Sequence, residues 1–129
     1  MINSLSCDFL IRIKNANLSG RENMTAPFSQ FCVDIAKVLK ENGLIADYKV
    51  NEDKIKTISV DLAYNDLNPA ITNVDLFSKP GRRLYEKASS LPWGKTPESL
   101  ILISTSSGLL TQRQAAAKKL GGEVIAEIY

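Results

Sequence analysis

Histidine is absent from the 129-residue sequence. That absence removes Ser-His-Asp and Cys-His catalysis, histidine metal sites and imidazole acid–base chemistry. Cysteine occurs only at Cys7 and Cys32. Both fall in segments of helical spacing with no secretory signal ahead of them, so reduced thiols are expected rather than a disulfide. Two thiols cannot close a zinc site by themselves. No apolar run approaches the roughly 18 residues of a membrane span, and the start, with Asp8 close behind it, lacks the basic and apolar regions of a signal peptide. The expected compartment is the cytosol. Charge of one sign is scarce too: 16 Lys+Arg against 14 Asp+Glu leave a net +2. What is present, 44% hydrophobic and 23% charged residues, suits a folded chain of one ordinary domain or two very small ones.

The first half reads as two helices and a hairpin. Over residues 4–17, Ser4 stands at an N-cap position and Leu5, Phe9, Ile13 and Ala16 recur at helical spacing, with Asp8, Arg12 and Asn15 on a polar face and Gly20 as the stop. Ser29 caps a second helix whose stripe is Phe31, Ile35, Val38 and Leu39, stopped by Gly43. Tyr48 and Val50 then lead into the turn Asn51-Glu52-Asp53, and residues 55–62 nearly alternate, the pattern of a β-hairpin. The polar stretch Asn65-Asp66-Leu67-Asn68-Pro69 is the expected linker. This gives an α+β chain of two small modules: residues 1–66, helix-helix-hairpin, and residues 67–129, mostly β with one short helix.

In the second half, residues 71–77 predict a strand with Ile71, Val74 and Leu76 inward, and residues 84–87 a shorter one. An irregular loop follows at 91–97, with Trp93 as its anchor. Leu100-Ile101-Leu102-Ile103 has the length of a buried strand. Thr111 caps a helix over 112–120, Gly121-Gly122 stops it, and residues 123–129 alternate as a closing strand.

Charge is distributed unevenly between these halves. Residues 1–72 hold eight Lys/Arg against nine Asp/Glu, a net −1, whereas residues 79–119 hold eight against two, a net +6. A local patch of that strength suffices for phosphate contact, because counterion release depends on the phosphates met rather than on whole-chain charge. A lysine-rich solvated surface gives the same count.

Three motifs lie in or beside the basic window. In Lys79-Pro80-Gly81-Arg82-Arg83-Leu84-Tyr85, Pro80 and Gly81 make a turn, two guanidinium forks suit phosphate, and Tyr85 offers either a stacking face for a splayed base or a core side chain. Ser104-Thr105-Ser106-Ser107-Gly108 concentrates small donors and acceptors able to read a base edge, a ribose hydroxyl or a phosphate, or else is a polar loop. It matches neither a P-loop nor a nucleophile elbow. Gly121-Gly122-Glu123 is either a simple helix-to-strand turn or a place where something passes close to the backbone. A small phosphate- or nucleotide-binding protein, or a protein-binding adapter using the acidic first half, remain open on these residues alone.

Taken together, four stretches resemble the small-subunit ribosomal protein eight family of bacterial type: Asp8-Phe9-Leu10-Ile11-Arg12-Ile13-Lys14-Asn15-Ala16; Ser78-Lys79-Pro80-Gly81-Arg82-Arg83-Leu84-Tyr85; Ser104-Thr105-Ser106-Ser107-Gly108 with Leu110-Thr111; and Gly121-Gly122-Glu123-Val124-Ile125. The resemblance runs along essentially the whole chain. It implies a non-catalytic ribosomal protein, without cofactor, metal, membrane or small-molecule substrate, that binds the central domain of small-subunit ribosomal RNA and helps organise the platform. It implies contacts with neighbouring small-subunit proteins, notably five and twelve, and a place in the cytoplasmic ribosome, an organelle-encoded origin staying open. Carried over by position, Ser104, Thr105, Ser106 and Ser107, with Gly108 and Thr111, would meet RNA within a distorted helix, and Tyr85 would stack. Lys79, Arg82 and Arg83, on the turn with Pro80 and Gly81, would meet backbone, while Gly121, Gly122 and Glu123 would sit against the RNA. Arg12, Lys14 and Asn15 match a second RNA-facing surface. The chain departs from the family pattern after Thr111, at 94–98, and at Glu127.

Overall fold

The computed structural model describes residues 4–66, 68–79, 81–92 and 99–129, apart from the Ser4 side chain. Leu67, Pro80 and the Trp93 loop with 94–98 lie outside the described residues, as does the expected Ser4 cap. The fold is α+β, in two compact units, one spanning Leu5–Asn73 and one built on Val74–Tyr129. No described helix is long and apolar enough to cross a membrane.

In the first unit, helix α1 (Ser4–Leu18) buries Phe9, Leu10, Ile13 and Ala16, and α2 (Gln30–Glu41) buries Cys32, Ile35, Ala36, Val38 and Leu39. The expected Phe31 is only half-buried. The Ser29 hydroxyl caps α2 by accepting the Cys32 N–H at 3.1 Å, satisfying one of the orphan donors of a helix start. Burial pushes the Cys32 thiol above its ordinary pKa against the opposing Ser29 and Ser6 hydrogen bonds, so it stays a protonated core group. Cys7 and Cys32 are both unbridged thiols.

Strands β2 (Ile45–Glu52) and β3 (Lys56–Leu62) form the expected antiparallel hairpin, with Tyr48 opposite Val60 and Val50 opposite Ile58. Its turn lies later than the sequence suggests. Glu52 pairs with Lys56, which leaves 53–55 to make the reversal and puts Ile55, expected in the strand, at 77% exposure. A further strand, β1 (Asn23–Pro27), pairs with β3 and completes a sheet of order β1-β3-β2. Only Met24 and Ala26 of β1 are buried, and as an edge strand it tolerates Pro27.

The polar segment expected as a linker pairs with itself. β4 (Tyr64–Asn65) and β5 (Asn68–Pro69) lie antiparallel, with Asp66 at φ 55°. The pair is tied to α1 by the buried Asn17, whose amide donates to the Ala63 carbonyl at 3.2 Å and whose carbonyl oxygen accepts the Ile71 N–H at 2.9 Å. That attachment explains why the segment groups with the first unit.

The second unit is an antiparallel sheet centred on its last strand. β10 (Gly122–Ile128) pairs on one side with β8 (Leu100–Thr105), which pairs with β9 (Gly108–Thr111). On its other side β10 meets β6 (Val74–Leu76) and then β7 (Tyr85–Glu86). The strand expected over 71–77 is thus confined to β6. Ile71 is still buried, but it serves the first unit through Asn17. Ile101, Ile103 and Val124 pack with Ala115 of α3 (Gln112–Ala117), and Phe77, Leu91 and Leu110 close the cluster. Thr111 caps α3 as expected, in a reciprocal box: its hydroxyl accepts the Gln114 N–H at 3.2 Å and the Gln114 side chain accepts the Thr111 N–H at 3.1 Å. The helix ends at Ala117 rather than 120, because Lys119 turns to φ 57° before the glycines are reached.

Candidate nucleic-acid interface

The basic turn is built from its two ends. Lys79 and Arg82 exchange backbone hydrogen bonds of 2.9 Å in both directions, and Gly81 takes φ 89° at the third position of that turn, where positive φ favours glycine. Below it, fully buried Ser78 donates its hydroxyl to the Val124 carbonyl at 2.7 Å and accepts the Leu84 N–H at 2.9 Å. Leu84 in turn accepts the Val124 N–H at 2.8 Å. One side chain therefore clamps both feet of the loop to β10, leaving Lys79, Gly81 and Arg82 exposed at its tip. Nothing in the periodicity singles out Ser78. Its signal is a small hydroxyl just ahead of a turn.

Beyond the turn, strand pairing sets Tyr85 opposite Glu123 and Glu123 opposite Ser104. Directly paired residues share a face and neighbouring strands lie ~4.8 Å apart, so these three form one row spanning about 10 Å. Tyr85 is 58% exposed, which decides for a ring in solvent over a core side chain. The row lies on the face opposite Ile103 and Val124, a pair whose face is covered by α3.

The serine loop is the tip of the β8–β9 hairpin, an arrangement that the sequence reading missed because Leu109 and Leu110 look like loop continuation. Thr105 organises it: its hydroxyl donates to the Gly108 carbonyl at 2.8 Å and accepts the Ser107 N–H at 3.1 Å, and Gly108 sits at φ 102°. Ser106 and Ser107 are exposed and Ser104 is half-buried. Thr111 is buried with its hydroxyl committed to the α3 cap.

The glycine pair answers a packing need. A Cβ on Gly121 would run into the Glu86 carbonyl oxygen and lie 2.8 Å from the Lys87 Cα and 2.9 Å from the Ala88 nitrogen; one on Gly122 would run into the Ser104 carbonyl oxygen. What passes close to these glycines is the chain itself, drawing β7 and β8 in on either side of β10. Glu123 is buried inside the sheet, with its carboxylate 3.4 Å from Nη1 of Arg83. Glu127 is also buried, opposite Ile101 and Asp75. The cations Lys87, Arg113, Lys118 and Lys119 are exposed.

A second basic feature lies in the first unit. Arg12 and Asn15 of α1 and Ser19 just past it, with Arg21 ahead of β1 and Met24 and Thr25 within it, line a groove of about 330 Å³. Arg12 is held there by Asp8 at 2.7 Å and by the Thr25 carbonyl at 3.4 Å. The structure adds Arg21 to the expected Arg12 and Asn15. Lys14 is half-buried and outside the groove lining. Among the described residues no cluster of acidic and cysteine side chains could hold a metal ion.

Comparison with known proteins agrees with the four motifs. The family model described as ribosomal protein S8 matches residues 5–129. A small ribosomal subunit protein uS8 from Pelagibacter ubique is 40% identical over 123 residues, covering 95% of this chain and 94% of that protein. Proteins of the same name from Corynebacterium diphtheriae and Leuconostoc mesenteroides are 43% and 42% identical over 124 residues, each with 95% of this chain and 94% of the relative covered.

Proposed function

Because this chain belongs to the ribosomal protein S8 family, we propose that it binds the central domain of small-subunit ribosomal RNA and helps assemble the platform of that subunit. At the coarser level its role is that of a structural component of the small ribosomal subunit, not an enzyme, and its place is the ribosome.

The observation that carries the RNA reading is the row of Tyr85, Glu123 and Ser104. In it an exposed ring and Ser104, where the hydroxyl-rich hairpin begins, share one sheet face, and the Lys79–Arg82 turn lies just ahead of the Tyr85 strand. Rings stack on splayed bases and hydroxyls meet base edges and riboses, while exposed Lys79 and Arg82 supply sequence-independent phosphate attraction. The groove of Arg12, Asn15 and Arg21 is the proposed second RNA contact, and proteins five and twelve are the proposed protein neighbours.

Salt titration of binding to a central-domain RNA fragment tests the assignment. Ser106→Ala is expected to weaken binding to that fragment by roughly 1–3 kcal/mol and to spare unrelated RNA, as loss of a buried polar contact does. Arg82→Ala should instead weaken binding to all RNAs alike and flatten the salt slope by about one. The reverse pattern contradicts the two roles, and equal wild-type affinity for unrelated structured RNA contradicts the reading as a whole.

A further inference from the structure

We propose, building on that RNA reading, that Glu123 is a positioning residue that cancels the charge of Arg83 and holds its guanidinium at the Tyr85–Ser104 row, so that Arg83 supplies geometry and discrimination rather than phosphate affinity. The carboxylate of Glu123 is only 3% exposed, and Nη1 of Arg83, whose side chain is 29% exposed, lies 3.4 Å from its Oε2. An ionised carboxylate this deep in a sheet requires a counter-charge. Arg83 is two residues before Tyr85, and Tyr85 faces Glu123 across the ladder. The guanidinium is therefore tied to β10 through Glu123, on a side chain that stays partly exposed. Arg82, its neighbour, is exposed at the turn.

The distinction is measurable, because only a cation that displaces counterions from phosphate contributes to the salt slope, by about 0.9 per contact on duplex and 0.7 on single strands. The experiment compares wild type, Arg82→Gln, Glu123→Gln and the double variant Arg83→Gln/Glu123→Gln. Each is titrated with salt against the central-domain fragment and against an unrelated duplex of equal length. The double variant removes both charges of the pair together and keeps the test decisive even if Glu123→Gln alone does not fold. It is expected to hold the wild-type slope within about 0.3 while the preference for the fragment falls about tenfold; Arg82→Gln should lower the slope by about one. Glu123→Gln should steepen the slope by about one, as the released guanidinium finds phosphate, and tighten binding to the unrelated duplex.

A double variant whose slope falls by about one makes Arg83 an ordinary phosphate contact and overturns the inference. So does a folded Glu123→Gln protein with wild-type slope and preference. If the wild type shows no preference for the fragment, the central-domain reading fails instead, and the slopes still decide whether Arg83 is neutralised.

Discussion

Gly122→Ala is expected to destabilise the second unit by about 3 kcal/mol or more and to abolish RNA binding. Overpacking of a well-filled interior costs ~1–3 kcal/mol when side chains can shift. Here the added methyl meets the Ser104 carbonyl oxygen and approaches the Thr105 Cα at 3.2 Å, and backbone of a paired strand cannot step aside without breaking its ladder. Because Ser104 begins the serine loop and Glu123 pairs with it, the relaxation would fall on the proposed RNA face itself. Urea unfolding followed by circular dichroism is the check. A variant within about 0.5 kcal/mol of wild type would show that the strands can separate at no cost, contrary to the packing described.

The second large effect is expected at Asn17. Asn17→Ala removes the acceptor of the Ile71 N–H and the donor to the Ala63 carbonyl, orphaning two backbone groups at ~1–3 kcal/mol each. A loss of about 3 kcal/mol is expected, confined to the first unit. Amide hydrogen exchange gives the site-specific reading: Ile71 should lose protection, while the amides of β8 and β10 keep theirs. Unchanged protection at Ile71 would mean that the β4–β5 segment is held by something other than this side chain.

These two residues also mark the limits of sequence reading. Gly20 and Gly43, with φ 76° and 74°, act through local conformation, and local conformation is what a sequence pattern records. Ser29 and Thr111 are visible for the same reason, as caps acting within three residues of themselves. Gly122 and Asn17 act on strands or loops 18 and 46 or more positions away, so only the fold reveals what they touch. The helix stop assigned to Gly121-Gly122 belongs instead to Lys119, because two adjacent features compete for one local explanation. Strand β1 was invisible because an edge strand with two buried side chains carries almost no period-two signal. Arg21 joins Arg12 and Asn15 only once β1 is placed beside α1. Of the proposed interface, residue types and their grouping were legible; which hydroxyls are turned inward to build the loop, and which acid lies beneath Arg83, were not.

The position of β10 in the chain has a temporal consequence. It follows every strand it pairs with, so during synthesis β6, β7, β8 and β9 leave the tunnel before the strand that joins them exists. The sheet of the first unit is complete by Leu62 and can close early, in the N-terminal-first order usual for domains. The Tyr85–Glu123–Ser104 row cannot be assembled until residues 122–128 have emerged. Chains interrupted between the serine loop and residue 122 carry the charged turn and the serines without the strand that sets Tyr85, Glu123 and Ser104 in one row.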